Sequence, residues 1–139
     1  MIVPITNPEL VNKLLPIMLK TKELPFSPHG YLNYIKKAIV TEYAMLLVNI
    51  NDDDEFDSAA FVETIINVTD REAFFNYGYI DPKQKEVGMK MWDMVNKWAK
   101  DKECKRICCI TNTLKARAMK KKYGFDQSLS YLTKEIERS

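Results

Sequence analysis

The chain has 139 residues, of which 46% are hydrophobic and 29% charged, and both glycine and proline are sparse. This composition excludes a disordered or repetitive protein and suits one domain with its own core, which we expect to span residues 1–139. The formal net charge is only +2, no apolar run reaches the roughly 20 residues that span a bilayer, and no charged-then-apolar leader is present, so we expect a cytoplasmic protein with no membrane partner.

The charge is unevenly distributed along the chain. Residues 83–122 carry thirteen Lys and Arg against four acidic residues, a net of +9, which leaves −7 for the remainder. A basic half suits nucleic acid or a ligand with several phosphates, and two solvated lysine-rich helices would give the same count.

The first third of the chain predicts a short strand followed by two helices. Residues 2–6 alternate weakly, as in a strand. A cap at Asn7 opens the first helix, which Pro16 is expected to kink or split. A second cap at Ser27 opens the second helix.

The middle of the chain predicts an antiparallel meander of three strands. Apolar and aromatic runs at 41–51, 58–68 and 72–80 are separated by short polar turns. Gly78, inside the third run, is typical of a bulge or of a close backbone approach. A long helix over 83–100 then carries an apolar stripe at three- and four-residue steps.

The last third predicts a buried strand around Cys108, a helix over 113–123 and a final strand over 129–136. The three cysteines of the chain lack a Cys-x-x-Cys spacing and there is a single histidine, so we expect no metal site and no disulfide. Cys108 and Cys109 are expected to pack as small apolar residues.

The passage from the meander into the long helix has the features of an anion-binding turn. Pro82 disfavours helical backbone at Asp81, so the strand ends there and the helix begins within a few residues. The free amides and the dipole of its first turn favour a phosphate, and Gly88 lets a bulky ligand approach the backbone. Three lysines add positive charge around this turn: Lys83, Lys85 and Lys90.

The spacing of Pro82, Lys85 and Gly88 resembles the acyl-CoA loop of the GNAT family of N-acetyltransferases. That loop follows the pattern Arg/Gln-x-x-Gly-x-Gly/Ala, usually with a proline three residues before the Arg/Gln. Lys85 stands at the Arg/Gln position, and Lys90 replaces the final small residue. The predicted order β-α-α-β-β-β-α-β-α-β is also the order of the GNAT fold.

The resemblance implies an α/β (α+β) fold: a mixed, mostly antiparallel central sheet of about six strands flanked by about four helices. It also implies acetyl-CoA as co-substrate. The pantetheine arm would pair with backbone groups of residues 76–80, among them Tyr79 and Ile80, and the pyrophosphate would lie on the amides of the loop. The loop residues are Lys85, Glu86, Val87, Gly88, Met89 and Lys90.

The carboxy-terminal part resembles the family a second time. Counting back from the Gly-Phe pair at 124–125, in the pattern Asn-x-x-Ala-x-x-x-Tyr-x-x-x-Gly-Phe, puts Asn112 beside the Asn position and Lys120 on the Tyr position. The resemblance implies a role for Asn112 in cofactor binding. It also implies that Lys120, or Tyr123 one turn further along, assists the departing thiolate.

The reaction implied by the resemblance is direct transfer of the acetyl group to an amine of a small-molecule or protein acceptor. The amine must lose a proton before attack, and a carboxylate is the usual base, so Glu72 and then Glu63 are the candidates. Aromatic residues ahead of and within the second helix either line an acceptor pocket or pack this helix onto the sheet. These residues, with the one histidine, are Phe26, His29, Tyr31 and Tyr34.

A second hypothesis is a catalytically degenerate GNAT-fold protein that binds a macromolecular partner. Lys90 and Lys120 depart from the family's pattern. The lysine-rich end of the chain is similar to GNAT-like proteins encoded by bacteriophages, some of which are virion or host-directed proteins, and the location would then be the host cytoplasm or the virion. The family's habit of dimerising leaves a homodimer open, whereas nucleic acid is disfavoured as a partner.

Overall fold

The computed structural model of the chain describes residues 1–21, 24, 26–109 and 121–122. The chain divides into two compact units, Met1–Cys108 and Cys109–Ser139. Its elements in the described part are β1 (Ile2–Pro4), a 3-10 helix (Pro8–Leu14), α1 (Leu15–Lys20), α2 (Pro28–Ala38), β2 (Ala44–Ile50), β3 (Phe56–Asn67), β4 (Asp70–Tyr79), α3 (Lys85–Asp101) and β5 (Ile107–Cys109).

The predicted order of elements is confirmed as far as β5. Five strands and three α-helices lie in the described part of the chain. The helix predicted over 113–123 and the strand predicted over 129–136, which would complete the expected counts, fall outside it except for residues 121 and 122. None of the described helices is both long enough and apolar enough to cross a membrane.

Local capping rules account for the starts of the 3-10 helix and of α2. The side chain of Asn7 accepts a hydrogen bond from the amide of Glu9 at 3.0 Å, and that of Ser27 accepts from the amide of Gly30 at 3.2 Å. The split predicted at Pro16 is confirmed, because the 3-10 helix ends at Leu14 and α1 begins one residue before the proline. A proline is tolerated there, since the amides of a first helical turn lack intrahelical partners.

The five strands form one sheet in the order β1-β2-β3-β4-β5. The first four are joined in antiparallel pairs, which confirms the predicted meander. The amide of Lys105 donates to the Arg71 carbonyl at 2.8 Å, and the amide of Ala73 donates to the Arg106 carbonyl at 2.9 Å. Residue numbers rise together on the two segments, so the chain entering β5 runs parallel to β4, as the intervening helix α3 requires.

A β-bulge interrupts the pairing of β3 with β4. Phe61 pairs with Tyr77 and Val62 pairs with Phe75, so Asn76 is the extra residue on β4. The bulge predicted near Gly78 therefore lies two residues earlier. Because one extra residue reverses the alternation of side chains, Phe75 packs on the α3 side of the sheet while Tyr77 packs on the side of α1 and α2.

The sheet has a separate apolar core on each face. On one face the 3-10 helix, α1 and α2 cover a cluster that includes the fully buried Phe61. On the other face α3 covers a cluster of mainly aliphatic residues from β2, β3 and β4. The predicted stripe of α3 supplies the helical part of that second cluster: Val87, Met91, Val95 and Ala99.

Candidate active site

The turn between β4 and α3 is fixed by hydrogen bonds to Asp81 and Ser58. The amide of Asp81 donates to the hydroxyl of Ser58 at 2.9 Å. The side chain and the carbonyl of Asp81 accept from the amides of Lys83 at 2.9 Å and Gln84 at 2.8 Å. These bonds hold the chain in a turn, so α3 begins at Lys85, two residues later than predicted.

The amino terminus of α3 presents amides without protein partners. No side chain caps the helix, and the amide of Val87 donates to the Gln84 carbonyl at 3.0 Å. Within the described part of the chain, the amides of Lys85 and Glu86 have no acceptor. Unpaired amides at the positive end of a seventeen-residue helix favour an anion.

Eight of the nine residues predicted for cofactor binding, all except Asn112, lie at one end of the sheet. Tyr79 is the last residue of β4 and Ile80 follows it directly. The six loop residues from Lys85 to Lys90 form the first one and a half turns of α3.

Gly88 and Lys90 lie on opposite flanks of α3. Gly88 is buried, one helical turn before Trp92, whose ring meets that of Phe75 edge-on at 6.5 Å between centroids. Lys90 instead lines a cleft of about 890 Å³ on the side of β1 and the β2–β3 turn, together with Lys83. The side chain at the altered position of the loop therefore lies away from Gly88.

Glu72 is engaged in a buried network at the start of β4. Only 3% of the residue is exposed. The thiol of Cys108 donates to one carboxylate oxygen at 2.7 Å, and Nε of Arg106 lies 3.5 Å from the other. The arrangement ties β4 to the segment that enters β5.

Glu63 lies on β3 next to the bulge and is half-buried. The hydroxyl of Tyr34, on α2, donates to one of its carboxylate oxygens at 2.6 Å, and the side-chain amide of Asn76 donates to the other. Asn76 is the bulge residue itself, so this carboxylate stands where β4 departs from regular pairing. The sequence indicated Glu63 and Tyr34 separately and the backbone of residue 76, but gave no sign of a role for the Asn76 side chain.

Aromatic rings surround the Glu63 side of the sheet. The ring of Tyr31 lies 5.8 Å from that of Phe26, 5.9 Å from that of Tyr77 and 6.3 Å from that of Phe61. Tyr34 is a further neighbour at 6.3 Å. Of the predicted aromatic group, Phe26, Tyr31 and Tyr34 are brought together, whereas His29 is exposed and makes none of these ring contacts.

Burial and the charge of Glu63 keep these tyrosines protonated. The pKa of Tyr34 is raised to about 12, by partial burial and by its hydrogen bond to Glu63. Burial, and to a smaller extent the charge of Glu63, also raises the pKa of Tyr31. The hydroxyl of Tyr31 is buried and has no hydrogen-bond partner among the residues that the structure describes. The hydroxyl of Tyr77, by contrast, is paired with Thr21 at 2.8 Å.

Three predicted site residues, Asn112, Lys120 and Tyr123, lie outside the described residues. The cysteines do not form disulfides. Burial raises the pKa of the thiols of Cys104 and Cys109, which favours their neutral form.

Comparison with known proteins identifies the fold. No model of a known protein family matches the sequence, and no curated protein matches it either. Solved structures do match over almost the whole chain. They are GNAT-fold acetyltransferases, so the chain has the GNAT fold.

Three of these structures illustrate the likeness. The aminoglycoside 6'-N-acetyltransferase AAC(6')-Ih from Acinetobacter baumannii is 18% identical, with a TM-score of 0.75 and 99% of each chain covered. AAC(6')-Iy, in complex with the bisubstrate analogue CoA-S-monomethyl-acetylneamine, is 13% identical, with a TM-score of 0.76 and 99% of this chain and 98% of that one covered. A predicted acetyltransferase from Clostridium acetobutylicum with acetyl-CoA is 17% identical, with a TM-score of 0.74 and coverage of 97% and 96%.

Proposed function

We propose that the protein is an N-acetyltransferase that moves an acetyl group from acetyl-CoA to an amine, and that residues 1–139 act as one acyltransferase domain. Two features found together in one GNAT fold carry the proposal. One is the set of amides without acceptors at the start of α3, and the other is the carboxylate beside the β4 bulge. Structural neighbours that hold acetyl-CoA, CoA or a CoA-containing bisubstrate analogue support acetyl-CoA as the donor.

The cofactor-binding part of the proposal places the pyrophosphate on the amides of Lys85 and Glu86. The remaining loop positions, from Val87 to Lys90, complete the first turns behind them. Gly88 lets the ligand approach the helix on the β4 flank, where Lys90 does not intrude. Backbone groups of Tyr79 and Ile80 are placed along the pantetheine arm, and Asn112 remains a proposed contributor.

We propose Glu63 in preference to Glu72 as the base. Glu63 is half-buried beside the bulge, and Tyr34 and Asn76 fix the direction of its carboxylate. Glu72 is almost fully buried and is already bound to Arg106 and Cys108, so its contacts suit a structural role.

In the proposed reaction the acceptor ammonium gives one proton to the Glu63 carboxylate, directly or through one water. The neutral amine attacks the thioester carbonyl, the new C–N bond forms and the C–S bond breaks. The second amine proton leaves with the thiolate as free thiol, either from the amine itself or relayed by Lys120 or Tyr123. Glu63 then releases its proton to solvent, so the products are the amide, coenzyme A and one proton.

One ground for the alternative role, a degenerate GNAT-fold protein that binds a macromolecular partner, was Lys90 at the position of the family's small residue. Lys90 lies on the flank of α3 away from Gly88 and Trp92, which weakens that ground. The departure at Lys120 falls outside the described residues.

Calorimetric titration with acetyl-CoA tests the proposal, with coenzyme A and ATP as controls at two salt concentrations. We expect micromolar binding of acetyl-CoA and coenzyme A that survives moderate salt, and weaker binding of ATP. Incubation with a panel of amines should then release free thiol in step with amide formation. Absence of binding, or binding of ATP equal to that of acetyl-CoA, would contradict the proposal.

A further inference from the structure

The tip of the β3–β4 hairpin is apolar and exposed. Residues 64–69 carry no charged side chain, and Ile66 is 64% and Val68 91% exposed. The pairing of β3 with β2 begins at Glu63 and Ala44, so the tip continues beyond the end of β2. These two aliphatic side chains therefore contribute little to either core.

Val68 also holds a strained backbone. Its φ is 60°, in the left-handed region, which is unfavourable for a β-branched residue. A tight hairpin turn normally carries glycine or asparagine at such a position. Because the side chain is exposed, burial does not offset this strain, and folding gives no reason for an aliphatic residue at the apex. Strain of this kind is typical of functional positions.

Basic residues lie at the base of the tip, on the side of the segment between α3 and β5. The amide of Lys105 donates to the Arg71 carbonyl at 2.8 Å, so these two residues lie side by side. Nη1 of Arg71 donates to the carbonyl of Lys102 at 3.2 Å. These contacts fix the segment after α3 against the hairpin.

The charge at the base of the tip is positive. Residues 70–71 and 102–106 together carry four bases against two acids, a net charge of +2. One of the acids, Asp70, is already offset, since Nζ of Lys105 lies 3.0 Å and Nη2 of Arg106 3.9 Å from its carboxylate oxygens. Both basic side chains are largely exposed, so they remain able to meet an anionic surface.

The spacing of apolar and basic groups matches the depth of a lipid interface. Arg71 lies three residues after Val68, and a strand rises about 3.3 Å per residue, so this charge lies up to roughly 10 Å behind the apex. Peripheral segments bury their apolar faces by about 5–10 Å at the boundary of headgroups and acyl chains. The apex therefore reaches the acyl chains while the bases stay at the level of the headgroups.

Other classes of partner fit this tip less well. A specific protein interface buries about 800 Å² on each partner, more than a tip two strands wide offers. Nucleic-acid phosphates would attract the bases but would gain nothing from an aliphatic apex. A fluid lipid surface uses both groups and requires no complementary shape.

We propose that the tip of the β3–β4 hairpin binds an anionic lipid surface, with Ile66 and Val68 among the acyl chains and Arg71, Lys102 and Lys105 at the phosphate headgroups. The sequence predicted no membrane partner because no apolar run could span a bilayer. Binding to a membrane surface needs no such run. This role does not depend on the proposed acetyl transfer.

Sedimentation of the full chain with sucrose-loaded vesicles tests the proposal without acetyl-CoA or an amine. One set of vesicles is phosphatidylcholine alone, and the other contains a quarter phosphatidylserine. We expect binding to the phosphatidylserine vesicles that weakens as salt is raised, and little binding to phosphatidylcholine alone.

Val68→Asn separates membrane binding from folding. Asparagine tolerates the left-handed region, so the free energy of unfolding should not fall, while the vesicle partition coefficient should fall about tenfold. Lys105→Gln should lower the coefficient about fivefold. Leu19→Gln and Lys20→Gln remove an exposed leucine and an exposed lysine from α1 and should leave it unchanged.

Three results would overturn the proposal. The first is no binding to phosphatidylserine vesicles, or equal binding to both sets. The second is an equal loss in the tip variants and in the α1 variants. The third is binding that Lys105→Gln weakens and Val68→Asn does not, because the attraction would then be electrostatic only. Failure of the acetyltransferase proposal is seen separately, as absence of acetyl-CoA binding in the calorimetric titration.

Discussion

The two faces of the sheet differ in what they bury. The face under α3 is closed by mainly aliphatic side chains, and Gly88 lies near the amino terminus of that helix. The face under α1 and α2 buries rings together with polar groups. Among these are the hydroxyl of Tyr31, which has no partner in the described part of the chain, and the hydrogen-bonded pair of Thr21 and Tyr77.

The difference shows which face is suited to chemistry. An aliphatic interface is stabilised by burial alone and needs no ligand. Buried polar groups are costly unless satisfied, so the face that holds them is the better candidate for ligand binding. We therefore propose that the cofactor binds at the end of the α3 layer and the acceptor at the polar, aromatic face.

The largest expected effect is at the cofactor end. Gly88→Glu places bulk and negative charge where the proposed pyrophosphate approaches α3, so acetyl-CoA affinity should fall at least about a hundredfold, or about 2.7 kcal/mol. Calorimetric titration measures the loss. Lys85→Ala, which removes one exposed charge, should weaken binding only about fivefold, or about 1 kcal/mol.

Asn96→Glu is the matched control for Gly88→Glu. It adds the same charge to the exposed surface of α3, two turns further along. It should leave acetyl-CoA affinity nearly unchanged. If the two glutamates weakened binding equally, or if Gly88→Glu had no effect, the cofactor assignment would be wrong.

The next effect is on turnover and belongs to the other face. Glu63→Gln keeps the size of the side chain but cannot take a proton, so kcat/KM should fall roughly 10²- to 10³-fold while acetyl-CoA affinity stays constant. Glu72→Gln should instead lower the free energy of unfolding by about 1–3 kcal/mol, because Arg106 loses its buried ionic partner. Steady-state kinetics and urea unfolding of both variants distinguish the two assignments. A large loss of kcat/KM in Glu72→Gln, with a loss of stability only in Glu63→Gln, would identify Glu72 as the base.

A smaller effect concerns Gly78, on the α3 face of β4. A Cβ atom there would lie 2.7 Å from the Phe75 ring, which packs on Trp92. Although alanine is ordinarily favoured over glycine in a strand, Gly78→Ala should lower the free energy of unfolding by about 1–2 kcal/mol. In a Phe75→Leu background the same change should be neutral or stabilising, and urea unfolding of the four proteins measures this coupling. An unchanged cost in that background would show that the ring is not the obstacle.

The sequence predicted the features that local rules determine. The caps at Asn7 and Ser27, the split at Pro16 and the order of the strands depend on residues close in the chain. The caps and the split were confirmed, and the strand order was confirmed as far as β5. The helix α3 begins two residues later than predicted, because Asp81 accepts hydrogen bonds from the amides of Lys83 and Gln84 and holds them in a turn. Helix propensity alone does not reveal that a turn and a helix compete for the same residues.

The candidate site was only partly predictable because its contacts are long-range. Glu63 meets Tyr34 across 29 residues and Asn76 across 13. The bulge that directs Asn76 at Glu63 arises from the register of β3 with β4, and the position of Gly78 predicted it two residues too far along the strand. The burial of Glu72 with Cys108, 36 residues away, was hidden for the same reason.

The smallest expected effect tests whether Tyr34 holds Glu63 in solution. The pKa of Tyr34 in the folded protein is raised to about 12 by burial and by the bond to Glu63, against an ordinary value of 10.0. The folded state therefore keeps a proton that the unfolded state loses between these two values. The resulting stabilisation is complete below pH 10 and is lost as the pH rises toward 12.

Urea unfolding from pH 9 to 11.5 measures this loss. The free energy of unfolding should decline less steeply with pH for Tyr34→Phe than for the wild type. Tyr43→Phe, which removes an exposed tyrosine hydroxyl on the loop before β2, is the control and should keep the wild-type slope. Equal slopes for Tyr34→Phe and wild type would mean that the Tyr34 hydroxyl does not orient Glu63, and the polar face would then lose one of the two groups that fix its carboxylate.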